Sequence, residues 1–124
     1  MIIKAVAEYL ETITDLELGT SLFIGHQPES PDEVVAIYAT GGVEPDRYLP
    51  TADPTIQLIV RASDYETGHD RAQEIADALH RLTNQTLGDF YIYYSFLLGE
   101  PAHIGRDKRD RDEFTINLHL KIRL

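Results

Sequence analysis

The sequence predicts an α+β fold: a mixed, largely antiparallel sheet of four to five strands with two helices packed on one of its faces. Three observations carry this. Several stretches alternate apolar and polar residues with the period of two that half-buries a strand. Two others repeat apolar residues every three and four positions, which gives a helix one buried stripe. The segments between neighbouring strands are short, and short connections favour antiparallel pairing.

In chain order, Ile3, Val6, Ala7, Leu10 and Ile13 recur at helical spacing, with Lys4, Glu8 and Glu11 on the other side. This first helix is expected to stop near Gly19, a residue suited to a positive-φ terminus. Ser21 to Gly25 reads as a short strand. The Gln27 to Asp32 segment is a loop, because Pro28 and Pro31 remove ladder donors. Val34 to Ala39 is a nearly continuous apolar run, expected as a central strand buried on both faces. Gly41 and Gly42 end it. Val43 to Asp53, with Pro45 and Pro50, reads as an irregular surface loop long enough to suggest a partner contact.

Thr55 to Ala62 is a strand with Ile56, Leu58 and Val60 on one face and Gln57, Ile59 and Arg61 on the other. It feeds the longer helix, where Ala72, Ile75, Ala76, Leu79 and Leu82 form the stripe and Ser63 or Asp64 supplies the N-cap. Thr83 to Asp89 reads as a polar turn. Phe90 to Leu98 is an aromatic strand whose Tyr91, Tyr93 and Tyr94 suit either an interface or an ordinary sheet. Ala102 to Gly105 is a short extended piece. Arg106 to Glu113 is a run of eight charges summing to zero. Phe114 to Leu124 then alternates without a break, with Phe114, Ile116, Leu118, Leu120, Ile122 and Leu124 on the side expected to be buried.

At 124 residues the chain fits one domain spanning 1–124. It has no cysteine, so disulfides, thiol nucleophiles and cysteine zinc sites are excluded. No apolar run reaches the roughly 20 residues that span a bilayer, and the acidic N-terminus is unlike a signal peptide. Both points favour a cytoplasmic origin without membrane association. The formal charge is −10, with 17 acids against 5 bases in residues 1–100 and 4 against 6 in residues 101–124. Such a surface repels phosphate backbones. It keeps the protein soluble, and it would equally suit the wall of a duct through which DNA slides without sticking.

The sequence offers little reaction chemistry, and no catalytic residue, cofactor or metal is expected. None of the five histidines lies four residues from another, so no helix face presents a zinc pair. Asp70, Glu74 and Asp77 form an acidic stripe that reads as the wet face of a helix, with divalent metal binding as the alternative. No glycine-rich segment has phosphate-loop spacing, and no serine sits in a nucleophile elbow. The charged octet is either a solvated hairpin or an interface element in which Arg106, Asp107 and Arg111 meet charges on another copy. Arg61, on an otherwise apolar strand, must reach solvent or find a carboxylate.

Taken in order, Leu18-Gly19, Leu22 to Gly25, Pro28, Pro31-Asp32, Val35 to Tyr38, Gly41-Gly42, Ile56 to Arg61, Tyr65, Ile104 to Asp107, Arg111 and Phe114 to Asn117 resemble the minor capsid or tail-terminator proteins of tailed bacteriophages and prophages. The resemblance covers almost the entire chain. It implies a tail-completion protein: a homo-oligomeric ring, commonly a hexamer, that caps the tail tube protein and meets the head completion or connector protein. DNA only passes through its channel. It further implies a place at the head-proximal end of the virion tail, with assembly in the host cytoplasm. The residues expected at subunit or partner contacts are Arg61, Tyr65, Tyr48, Arg106, Asp107, Arg111 and Asn117. One departure stands out, because Asp110 occupies a position before the last arginine of the turn where a glycine is expected. Two rival readings are an acidic immunity-protein or antitoxin-type module that neutralises a basic partner, and a metal-assisted hydrolase using Asp70, Glu74 and Asp77.

Overall fold

The structure, a computed structural model, describes residues 1–124. Helix α1 (Ile2–Ile13) is followed by β1 (Leu22–Ile24), β2 (Val34–Ala39), β3 (Thr51–Ala52) and β4 (Thr55–Ala62). Helix α2 (Tyr65–Leu79) precedes β5 (Thr83–Leu87), β6 (Phe90–Leu97), β7 (Ala102–Arg106) and β8 (Asp112–Arg123). The α+β class holds, but the sheet has eight strands where the sequence suggested four to five.

Its main path runs β1-β2-β4-β8-β6-β5, with β3 and β7 also paired to β8. Only β1 and β2 run parallel; every other pairing is antiparallel. Strand β8 is the spine. One of its edges pairs with β4 from Asp112 to His119 and with β3 at Ile122 and Arg123. The other pairs with β7 near its start and with β6 from Leu118 onward.

Register explains which residues form the core. Val35, Ile37, Ile56, Leu58, Val60, Phe114, Ile116, Leu118, Leu120 and Ile122 share the helix-facing side, and all are nearly inaccessible. The stripes of α1 and α2 close over them to give one core of 24 buried residues. A β-bulge between Ile92 and Tyr94 keeps Ile92 and Ser95 on the core side and turns Tyr94 and Phe96 outward. Ser95 is a buried hydroxyl in this layer. It donates to Leu79 O (2.6 Å) and accepts from Leu82 N (2.9 Å), tying the end of α2 to β6.

Several expectations need correction. The polar turn from Thr83 to Asp89 contains strand β5, which pairs with β6 around the two residues Gly88 and Asp89. As an edge strand it buries only Leu87, so it lacks the apolar alternation of an inner strand. The Val43–Asp53 loop is partly ordered by β3 and by a bridge between Val43 and Asp53. Strand β2 is buried on both faces from Val34 to Ile37, yet it lies next to the sheet edge and is not central. Leu124 falls beyond β8 and is exposed. Of the two candidate caps, Asp64 serves α2: its carboxylate accepts from Thr67 N at 2.8 Å.

Gly68 shows how closely α2 sits on β8. A Cβ there would lie 2.6 Å from Cε1 of Phe114, a ring held at 1% exposure, and 3.3 Å from the Ala62 methyl. Gly68→Ala gains up to about 1 kcal/mol of helix propensity, but overpacking costs about 1–3 kcal/mol. Chemical denaturation should therefore show a net loss. A variant as stable as the parent would mean that the Phe114 ring can yield.

Candidate functional site

The residues singled out in the sequence separate into three places. The first is a clamp built by Arg61, Asp107 and Arg111. Arg61 projects from β4 away from the helices, yet it reaches neither solvent nor a carboxylate. It is 4% exposed, and its guanidinium donates to the backbone carbonyls of Pro31 (2.7 Å) and Asp32 (3.2 Å). Burial, then the nearby Arg111 charge, lowers its pKa from the ordinary arginine value. Arg111, also buried, donates through Nε to Asp107 (2.8 Å) and through Nη1 to the Glu29 carbonyl and to Asp32 (3.3 Å). The two arginines thus fasten the 27–32 loop across the end of the sheet.

Asp107 organises the β7–β8 turn from within. Its carboxylate accepts from the backbone N–H groups of Arg109 (2.9 Å) and Arg111 (3.0 Å), as well as from the Arg111 side chain. The Arg111 backbone bond foremost, with the other donors, holds its pKa down at about 2. Asp110 stands in the left-handed region at φ +63°, the conformation that a glycine adopts without strain and that Asp tolerates better than most residues. The missing glycine therefore does not prevent the tight turn. Charges left facing outward in the octet are those of Lys108, of Arg109, 3.4 Å from Glu29, and of Arg106 and Asp110, 3.4 Å from each other.

The second place gathers Tyr65 and Arg106 with residues the sequence reading did not single out. Tyr65, 54% exposed, packs its ring against His103 (4.9 Å between centroids) and the edge of Phe114 (5.1 Å). Beneath them lies Asp112, paired with His103 Nε2 (2.9 Å) and Arg106 Nε (3.3 Å). Burial pushes the Asp112 carboxyl up, but these partners outweigh it and leave the pKa low. In the β7–β8 hairpin His103 lies opposite Phe114 and Asp112 opposite Arg106, so His103 reaches Asp112 diagonally, across the irregularity between His103 and Gly105. His103 makes no other side-chain hydrogen bond, so the pair serves as a pin between strands.

The third place is the sheet face away from the helices, together with the 43–50 loop beside it. Asn117 lies on this face, opposite Gln57. Alongside, Tyr94, Phe96 and His119 stack at 5.9 and 4.7 Å between successive rings, and Arg123 lies 4.7 Å over the Tyr91 ring. Asp53 accepts from His119 (3.0 Å) and Lys121 (3.2 Å). Burial raises the Asp53 pKa and these two donors more than reverse the rise. Tyr48, at the tip of the loop, is 90% exposed.

Elsewhere, an open cleft of about 1020 Å³ between the end of α1 and the start of α2 is lined by Asp15, Glu33, Asp70 and Glu74. Its Arg71 is held between Asp15 and Glu74, at 2.7 Å from each. Asp77 accepts from Gln73 (2.9 Å), so the acidic stripe on α2 is partly spent on local pairs. No three acids or histidines converge as metal ligands.

Polar clusters thus fix the loops, and aromatic and charged side chains are left outside them. Residues 9–124 match the family described as bacteriophage tail terminator protein, and the chain belongs to that family. It is thus a structural component of a phage-type particle, and membership implies a non-enzymatic role. The chain is also similar in fold to a chain of the solved structure described as virion of native gene transfer agent (GTA) particle. The TM-score is 0.64 at 15% identity, over 86% of this chain and 81% of that one. No curated protein matches.

Two outcomes test the clamp. Because the Asp107 pKa is depressed in the folded state, its contribution to stability is present above the unfolded value near 4 and is lost as pH falls through about 2. Asp107→Asn should destabilise the protein at pH 7 and flatten the loss of stability between pH 4 and 2, as read by thermal melts. Asp110→Gly should change stability by less than about 0.5 kcal/mol, since relief of strain offsets the greater freedom of the unfolded chain. Asp110→Val, β-branched at positive φ, should cost about 1–2 kcal/mol. Equal melting of both variants would show that the turn does not require the left-handed residue.

Proposed function

We propose that this protein is a single-domain tail terminator that closes into a ring, six copies in the expected form. The ring caps the finished tail tube, stops its polymerisation and presents a surface to the head connector. Its place is the head-proximal end of the virion tail, reached by assembly in the host cytoplasm without membrane involvement. The observation that carries the reading is the family match over residues 9–124. The geometry supports it in two ways.

First, the exposed protrusions lie on different sides of the molecule, as a ring requires. The Tyr48 loop joins β2 to β3, whereas the β7–β8 turn and Tyr65 lie at the opposite end of β8. Head-to-tail contacts between unlike surfaces close into rings, while a self-complementary patch gives only a pair. Tyr48, Tyr65, Arg106 and Asn117 are the proposed contact residues. Arg61, Asp107 and Arg111 act behind them by fixing the loops that carry the surface. Second, the outward side of α2 carries Glu66, Asp70 and Asp77 in exposed positions. Facing a lumen, such a wall repels the DNA backbone and lets the genome pass without adhering.

The test is assembly. Light scattering and negative-stain images should show rings of about six copies, at high concentration or once tail-tube protein is added. Particles made without the protein should carry tails of uneven length. A chain that stays monomeric, ignores tube ends and leaves tail length unchanged would end this reading.

A further inference from the structure

The 43–50 loop is a protrusion that is apolar at its tip and firmly held at its base. Val43, Tyr48 and Leu49 are 60%, 90% and 58% exposed. The loop is nevertheless ordered. Asp46 Oδ1 accepts from the backbone N–H groups of Tyr48 (2.7 Å) and Leu49 (2.8 Å). Leu124 N donates to Pro50 O (2.8 Å), and β3 pairs with the end of β8. At Gly42, φ is +93° and a Cβ would lie 2.2 Å from the Asp53 carbonyl, so the base of the loop packs backbone to backbone. A contact made through such a loop loses little conformational entropy on forming.

A matching recess lies across the sheet. Between α1 and β5, a groove of about 220 Å³ is floored by Ala5, Tyr9 and Leu87 and rimmed by Glu8, Thr12 and Thr86. It exceeds the roughly 150 Å³ that suffices for a benzene ring. The loop reaches β8 from its β4 side, whereas β5 forms the sheet edge beyond β6, so one copy cannot fill its own groove through this sheet order. The rims are complementary in charge. The loop carries Glu44 and Arg47 beside Tyr48, while α1 carries Glu8 on the groove's rim and Lys4 one turn before it, outside the lining. None of these four takes part in an ion pair within the chain.

We propose that Tyr48 of one copy seats in the α1–β5 groove of the next copy, with Arg47 against Glu8 and Glu44 against Lys4. The occupant is a second copy of this chain, since loop and groove carry the two halves of one charge pattern on opposite sides of the same molecule. Such a contact is heterologous and propagates around a ring. The charges fix its orientation and the aromatic ring supplies the buried anchor. This rests on the ring reading and adds the two surfaces that close it.

The absence of native cysteine makes the contact directly readable. In the full chain carrying Leu49→Cys and Thr86→Cys, which leaves the Tyr48 anchor in place, mild oxidation should give a ladder of cross-linked multimers, with either single variant reaching dimers at most. Arg47→Glu and Glu8→Arg should each reduce ring formation at least about tenfold in light scattering. The two together should restore most of it. Since Arg47, Leu49, Glu8 and Thr86 are exposed, monomer melting should stay constant and serves as the folding control. Wild-type rings that persist in every variant without cross-links would overturn this contact and leave the ring reading intact. Variants that assemble normally but no longer bind tube ends would overturn it in favour of the tube as occupant. A wild-type chain that never associates would remove both.

Discussion

Strand β8 has both edges occupied along nearly its whole length, and that double pairing is what the other elements depend on. Its twelve residues hold β4 and β3 on one side and β6 and β7 on the other. Alternation then divides its side chains into a row closed over by helices and a row left outside. A slip of one residue would exchange Phe114, Ile116 and Leu118 for Thr115, Asn117 and His119. The register is therefore fixed by the core, and with it the position of every surface cluster. The His103–Asp112 pin, the Asp53–His119 contact and the stack on Phe96 each use a β8 residue or its neighbour.

Two buried arginines set the second level of organisation. A guanidinium taken out of water demands partners, and Arg61 finds them in main-chain carbonyls while Arg111 finds them in both carbonyls and carboxylates. Their shared target is the 27–32 loop, which otherwise has little apolar surface to bury. Charge at this end of the sheet thus performs work that hydrophobic packing performs at the centre. It also explains why a run of eight charges can contain two of the least exposed polar residues in the chain, Arg111 and Asp112.

Much of this was legible in the sequence where local periodicity and burial agree. The limits of β2 and β4 follow from apolar runs of strand length, and the α2 stripe and a cap at Ser63 or Asp64 follow from spacing and from hydrogen-bonding chemistry, the structure choosing Asp64. Strand β5 escaped notice because an edge strand need not alternate: Thr83, Asn84 and Thr86 face solvent, and pairing with β6 supplies what apolar burial does not. The destination of Arg61 was unreadable for another reason. Its partners lie thirty residues away on a loop whose path is fixed only after β2 and β4 pair. Asp110 was visible as an oddity, but only the backbone showed that it adopts the left-handed conformation.

The same plain edge has a consequence for how copies behave before they are used. A strand with free backbone donors is an invitation to uncontrolled stacking, and the two margins of the sheet answer it differently: β1 is only three residues long, and β5 is polar with a single buried residue. Neither margin therefore offers a long backbone template on which copies could stack into fibres. The association proposed above would then fall to side-chain shape and charge, which are reversible and selective in a way that an exposed backbone ladder is not.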